Sequence, residues 1–454
     1  MKRFYEITEL LKSNDYYVKE YALDAMRKHG VFLPSTVAVI CEFLKNEKDL
    51  ALRSAAIKLL IEKKQNSALD FFFEMVSREN SDDVKILIYE AIEKLAPDYL
   101  AEKLNYASGL QTAEFEKKRD LLIDNLINNF KDERNLKIRS KVIRALSKIC
   151  QNVKNLKIER EFIFDLLTDP DPRIRANACE IPADIYDNIT KAEYKRLLSD
   201  SVPRVMAQAG ISLYKSGELW IIDHFEKLLA GETSGAKIAS LVYALGCMPS
   251  RRSFELLIDQ IGSAHSNVRK IAVESLSKTN DIGAIKPLIN LYMNEFSGCR
   301  ENLSKIINTL RHISCDQASL NIISELVKCH DDKRKVATLV KLLSHFADQA
   351  LANNFIKYLS DEDARVRANT IEALMNLKER GIVDHEFMAK NTLLLICDKN
   401  SRVMANAARA LYGCGIVNVA SVLREMLGSN VMSVQKSAQY TISKMPQELF
   451  PIAG

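Results

Sequence analysis

Four stretches of this 454-residue chain read almost alike: LLTDPDPRIRANA at 166–178, LLSDSVPRVMAQA at 197–209, YLSDEDARVRANT at 358–370 and LICDKNSRVMANA at 395–407. Their common pattern is D-x-x-x-R-[VI]-[RM]-A-[NQ], and its aspartates, Asp169, Asp200, Asp361 and Asp398, stand 31, 161 and 37 residues apart. Since 161 is close to five periods of about 32, one unit recurs every 30 to 37 residues. Following the aliphatic anchor of the pattern outward finds weaker copies at Val18, Leu52, Val84, Ile138, Ile174, Val205, near Lys237, at Val268, near Asn302 and Lys335, and at Val366, Val403 and Val434. After each anchor, apolar or small residues recur at plus four, plus seven and plus eight, as in Val366, Thr370, Ala373 and Leu374, which is helical periodicity. A second apolar helix precedes each turn, for example EFIFDLLTD at 161–169 and ELWIIDHFEKLLAG at 218–231. Each unit is thus a helix, a short polar turn and a helix, and one such hairpin cannot bury its apolar face alone. The expected fold is all-α, an α-α superhelix of about thirteen hairpins stacked as a single solenoid over 1–454.

This pattern resembles the HEAT-repeat family, particularly its short bacterial, PBS-lyase-type form, whose turn aspartate and following V-R-x-x-A-x-x-A-L helix are matched at 169–182 and 361–374. The resemblance implies that Asp169 with Arg175, and Asp361 with Arg367, serve a structural ladder along the stack. The ladder arginine is replaced at Met206, Met404 and Gln435, and Pro182 falls inside a second helix, where a kink is expected. The spacing breaks at one interval. Val84 to Ile138 is 54 residues, so 97–118 is read as an insertion between repeats, a solvated linker in preference to an exposed functional loop.

Composition narrows the class. With 47% hydrophobic and 27% charged residues, and only 15 glycines and 10 prolines, the chain is neither disordered nor fibrous. No uncharged apolar run approaches membrane length, and MKRFYEITELLKSNDYY at the start is too polar for a signal peptide, so no membrane partner and a cytoplasmic location are expected. Nine scattered cysteines without a CxxC pair suit reduced thiols, and a net charge of +5 from 64 basic and 59 acidic residues argues against a dedicated nucleic-acid binder. The seven histidines form no HExxH or paired set; His385-Glu386 is read as a surface pair, and Cys179, Cys397 and Cys414 lack a neighbouring base in the sequence. Phosphate-binding glycine loops are absent too. No enzyme, cofactor or metal site is therefore expected.

In the resembled family the second helix of each unit lines the concave surface. At 100° per residue, positions two, five, six and nine after the anchor turn away from the buried side. They carry basic Arg27, Lys58, Arg144, Lys270, Arg409 and Lys436 against acidic Glu20, Asp24, Glu90, Glu93, Glu180, Glu274 and Glu372, a neutral balance that disfavours phosphate tracking. The same positions hold Tyr89, Tyr214, Tyr243, Tyr412 and Tyr440 over small residues such as Ala176, Gly210, Ala368 and Ala405. Tyrosine over small residues suits a protein or peptide partner, unless superhelical curvature buries the set between helices. Asn177, Gln208, Asn369 and Asn406, each three after an anchor, are read as repeat-to-repeat hydrogen bonders, and Trp220 as a packing residue. The expected function is a noncatalytic scaffold that binds a protein or peptide on its concave face. The alternatives are a HEAT-like enzyme, such as a chromophore lyase, and a weak nucleic-acid binder.

Overall fold

The computed structural model describes residues 7–29, 32–106, 110–151, 158–182, 188–297, 302–412, 414 and 418–445. Among them the chain is α-helical with short 3₁₀ turns, and no strand occurs. Contacts divide the expected array into two compact units, Met1–Ala244 and Leu245–Gly454.

The turn motif explains how each hairpin closes. Asp169 Oδ1 accepts the Asp171 N–H at 2.8 Å, and Asp361 Oδ1 accepts that of Asp363 at 2.9 Å. Asp171 and Asp363 then cap the next helix by accepting the N–H groups of Arg173 at 2.8 Å and Arg365 at 2.7 Å. Two short carboxylates thus bend the chain and satisfy the helix donors that would otherwise lack partners. Pro172 and Pro203, at the first helical positions, lose no hydrogen bond there.

Second helices stack on second helices. In the first unit Leu50–Glu62 packs on Asp82–Tyr106, then Leu136–Gln151, Pro172–Ala178 and Pro203–Lys215 follow; in the second, Lys333–Leu343, Ala364–Glu379, Ser401–Ala410 and Met432–Ile442 do the same. The anchor pattern is buried as its period predicts, with Val366, Thr370, Ala373 and Leu374 all fully inaccessible. Positions two and five are buried as well, as Ala368, Ile371, Ala405 and Ala408 show. A second helix is flanked by two others besides its own hairpin partner, so its apolar stripe is wider than one buried side allows.

Successive repeats are tied by an ion ladder. Arg175 Nε and Nη2 donate to the Asp200 carboxylate of the next repeat at 2.9 and 3.1 Å, while Nη1 donates to the Asp169 carbonyl of its own turn at 2.8 Å. Arg367 repeats this geometry, at 2.8 and 2.7 Å to Asp398 and 2.8 Å to the Asp361 carbonyl. Asp169 receives Arg139, and Asp361 receives Lys333. Lys19–Glu47, Arg53–Glu79 and Lys85–Glu133 are further rungs in the first unit. Beside the ladder runs an amide row: Asn177 Nδ2 donates to the Ser140 carbonyl, Asn369 Nδ2 to that of Ala337 and Asn406 Nδ2 to that of Ala368, each in the preceding second helix.

Two local departures follow from proline and glycine. The helix expected to kink at Pro182 stops instead, ending at Ala178, because a residue before proline is driven out of the helical region. The carbonyls released there are taken by neighbours: Tyr194 Oη donates to Ile181 O at 2.8 Å, Ser212 Oγ to the same oxygen at 3.1 Å, and Gln151 Nε2 to Glu180 O at 3.0 Å. Gly210 lets its helix approach Phe225 so closely that a Cβ would lie 2.2 Å from the ring Cζ. The expected insertion 97–118 is taken up largely by two long helices, Asp82–Tyr106, which contains Pro97, and Leu110–Asp132; 107–109 lie outside the described residues.

Candidate functional site

The five candidate tyrosines separate by position. Tyr89 is 3% exposed and belongs to the core, a correction to its expected place on an open surface; at plus five it is covered by the neighbouring helices. Burial, with Glu133 nearby, pushes its phenol above the ordinary tyrosine range. Tyr214, at plus nine, is half-buried. Tyr440, at plus six, is 62% exposed, and Tyr412, at plus nine, is 39% exposed. Tyr243 is open as well, at 47%. The small residues beneath them, Ala176, Ala368 and Ala405, are packing residues, not groove floor. Trp220 reverses its expectation: it is 42% exposed, with its indole N–H donated to Glu218 at 2.7 Å and the Lys195 ammonium 5.8 Å from its ring.

Tyr440 forms part of a groove of about 380 Å³ in the second unit, which four successive second helices build from Lys341, His345, Glu372, Asn376, Arg409 and Lys444 among others. Glu372 is its central charge. Its carboxylate accepts from Lys341 Nζ, from Arg402 Nη2 at 2.9 Å and from Asn406 Nδ2 at 3.2 Å. Burial alone would raise its pKa, but Lys341 and Arg402 outweigh that and hold the carboxyl at about 2. His345 sits at the groove's edge, where Asn376 Nδ2 donates to its Nδ1 and to Ser344 Oγ, both at 3.0 Å. The ring proton is thereby placed on Nε2. Burial first, then the charges of Arg311, Lys341 and Arg380, push the imidazole down to about 4.

His345 makes a stability prediction. Its folded pKa lies below the unfolded value of about 6.5, so its contribution is complete above that pH and is lost as pH falls through about 4. Urea unfolding at pH 7 and pH 4.5 is expected to differ more in the wild type than in His345→Gln, by on the order of 2 kcal/mol. Equal pH dependence in the two proteins would show that the ring is solvated.

A smaller cavity of about 210 Å³ in the first unit lies where the helix stops before Pro182, among Gln151, Cys179, Glu180, Gln208, Ser212 and Lys215. Cys179 is fully buried, and that burial pushes its thiol well above the ordinary range, which makes it inert. In the second unit Cys414 Sγ lies 3.5 Å from His385 Nδ1, a juxtaposition across 29 residues that no spacing in the sequence signals. Among the described residues no group of three or more His, Cys, Asp or Glu could hold a metal ion.

Helical hairpins, and the rungs from Lys19 to Glu47 and from Arg53 to Glu79, whose carboxylates also accept the N–H groups of Asp49 and Ser81 in their own turns, fall within residues 6–93, which match the family model for HEAT repeats. Residues 6–93 carry HEAT repeats. The same turn and ladder geometry recurs outside the matched residues, at Asp169, Asp200, Asp361 and Asp398. No curated protein matches this chain. Among solved structures, Kap121p bound to RanGTP is 17% identical with a TM-score of 0.43, over 91% of this chain and 49% of that one. Importin beta in an ammonium sulfate condition is 13% identical with a TM-score of 0.40, over 97% and 67% of the two chains. An engineered protein is 14% identical with a TM-score of 0.31, over 98% of both. The chain spans 49% of the length of the Kap121p chains it matches.

Proposed function

We propose that this protein is a noncatalytic HEAT-repeat scaffold in the cytoplasm that binds a protein or peptide along its second-helix face. The observation that carries the proposal is the groove of the second unit, where Tyr440 stands exposed beside the paired charges of Glu372, Lys341 and Arg402. A large amphipathic ring with few rotamers, next to fixed polar groups, is the chemistry of an interface anchor. Tyr214, Tyr243 and Tyr412 are further contacts in this proposal. No helix among the described residues is long and apolar enough to cross a membrane.

The test is truncation with a folding control. Tyr440→Ala is expected to weaken partner capture by about 1–3 kcal/mol while leaving the thermal transition in place, since the side chain is mostly solvated. Tyr89→Ala is expected to melt lower, because its ring is core. Full capture by Tyr440→Ala would move the binding face away from this groove.

A further inference from the structure

We infer that the groove of the second unit takes an acidic peptide, held by a row of cations at the C-terminal ends of its second helices. The inference rests on the reading of this groove as the partner-binding face. It begins with what those cations touch. Arg311 Nε and Nη2 donate to the His345 carbonyl at 3.3 and 3.1 Å, Arg380 Nη1 to the Ser344 carbonyl at 2.5 Å, and Lys378 Nζ to the Tyr412 carbonyl at 3.4 Å. Backbone oxygens position these groups without cancelling their charge. Arg409 and Lys444 line the groove itself, and the Lys444 ammonium lies 5.9 Å from the Tyr440 ring.

The carboxylates nearby do not balance this row. Glu372 is already matched by Lys341 and Arg402, which leaves Glu379 in the lining with Arg409 and Lys444, while Arg311 and Arg380 hold the carbonyls of His345 and Ser344 at its edge. The first unit differs, because its corresponding charges neutralise one another across repeats: Arg27 with Glu62 at 2.9 Å, Arg144 with Glu93 at 2.7 Å and Lys148 with Glu180 at 2.6 Å. Of this row only Arg409, at plus six, falls on positions two, five, six and nine of a clear anchor, since Lys378, Arg380 and Lys444 lie ten or more residues beyond their anchors. Cations there are favoured by the helix dipole, and His345 beside them is held neutral by its burial first and by the charges of Arg311, Lys341 and Arg380 second. A peptide fits better than a nucleic acid. Met375 and Tyr440 offer apolar contact to side chains between carboxylates, which a phosphate backbone cannot use.

Fluorescence anisotropy on the full chain decides the matter, with a labelled peptide of alternating Glu and Leu, its Lys and Leu counterpart, and a single-stranded oligonucleotide as probes. The acidic peptide is expected to bind in preference to both and to weaken as salt rises. Arg409→Glu combined with Lys444→Glu is expected to loosen it on the order of tenfold at an unchanged melting temperature. If that variant melts lower, Arg409→Gln with Lys444→Gln replaces it. Equal binding of the basic peptide, indifference to these substitutions, or a preference for the oligonucleotide overturns the inference. Loss of native-partner capture by Tyr440→Ala, together with no acidic-peptide binding, overturns the acidic partner and leaves the groove standing as the binding face. Failure of both removes both.

Discussion

Replacing Arg367 by alanine is expected to lower the unfolding free energy by about 3 kcal/mol, because it strands a carboxylate in a nearly dry site. The side chains of Arg367 and Asp398 are 14% and 8% exposed, far from the solvated pairs on the outer surface. The same guanidinium also holds the Asp361 and Glu362 carbonyls, so its loss frees backbone acceptors in its own turn. A double-mutant cycle separates these roles. Arg367→Ala with Asp398→Ala is expected to show a coupling of about 1–3 kcal/mol. Arg367→Ala with Asp361→Ala is expected to show much less, since Arg367 meets only the Asp361 carbonyl. Urea unfolding of the three single and two double variants checks it, and a loss below about 1 kcal/mol for Arg367→Ala would place the rung among ordinary surface ion pairs.

Gly210→Ala is the second substitution with a large expected effect, and its sign runs against propensity. In an exposed helix the change stabilises by about 1 kcal/mol. Here the new methyl carbon would meet Phe225 Cζ at 2.2 Å and Cε2 at 2.9 Å, and Phe225 is fully buried. Net destabilisation of about 2–3 kcal/mol is expected, measured as a lower urea midpoint. Phe225→Leu added to Gly210→Ala is expected to recover part of the loss. A neutral or stabilising Gly210→Ala would mean that the helices Pro203–Lys215 and Ile221–Ala230 are spaced more loosely than this.

Most of the fold was legible because the repeat is written in local terms. The buried set of Val403, Ala407, Ala410 and Leu411 follows from helical period alone, and the asparagine row follows from its constant offset to the anchor. Properties set by a neighbouring repeat were less legible. That Arg175 pairs with the Asp200 carboxylate, and touches Asp169 only through its carbonyl, depends on how far one hairpin is offset from the next. The burial of Tyr89 and the exposure of Tyr440 differ by one helical step, at plus five and plus six, and only the packed neighbours fix which is covered. Trp220 was misread because an apolar run suggests a core, whereas this ring precedes Ile221 at the helix start and is left on the rim. Apart from Arg409, the cation row is not legible in the repeat pattern because Lys378, Arg380 and Lys444 lie past the anchored part of their repeats, where helix ends differ in length.

The methionine at 404 has a consequence for how the second unit comes apart. Where Arg367 ties one repeat to the next by an ion pair, the junction between Ser401–Ala410 and Met432–Ile442 is held at the surface by hydroxyls: Ser401 Oγ to Ser437 Oγ at 3.1 Å and to the Ser433 carbonyl at 3.3 Å. Gln435, in the rung position, turns back to the Ser429 carbonyl of its own turn. In a linear array each repeat is only as secure as its junctions, so opening should cost least where the clasp is neutral. Tyr440 and Lys444 belong to that neutrally clasped repeat, while Arg409 and His345 belong to repeats before it. A ligand that spans them would act as the absent clasp, so that its affinity and the closing of this repeat become two readings of a single free energy.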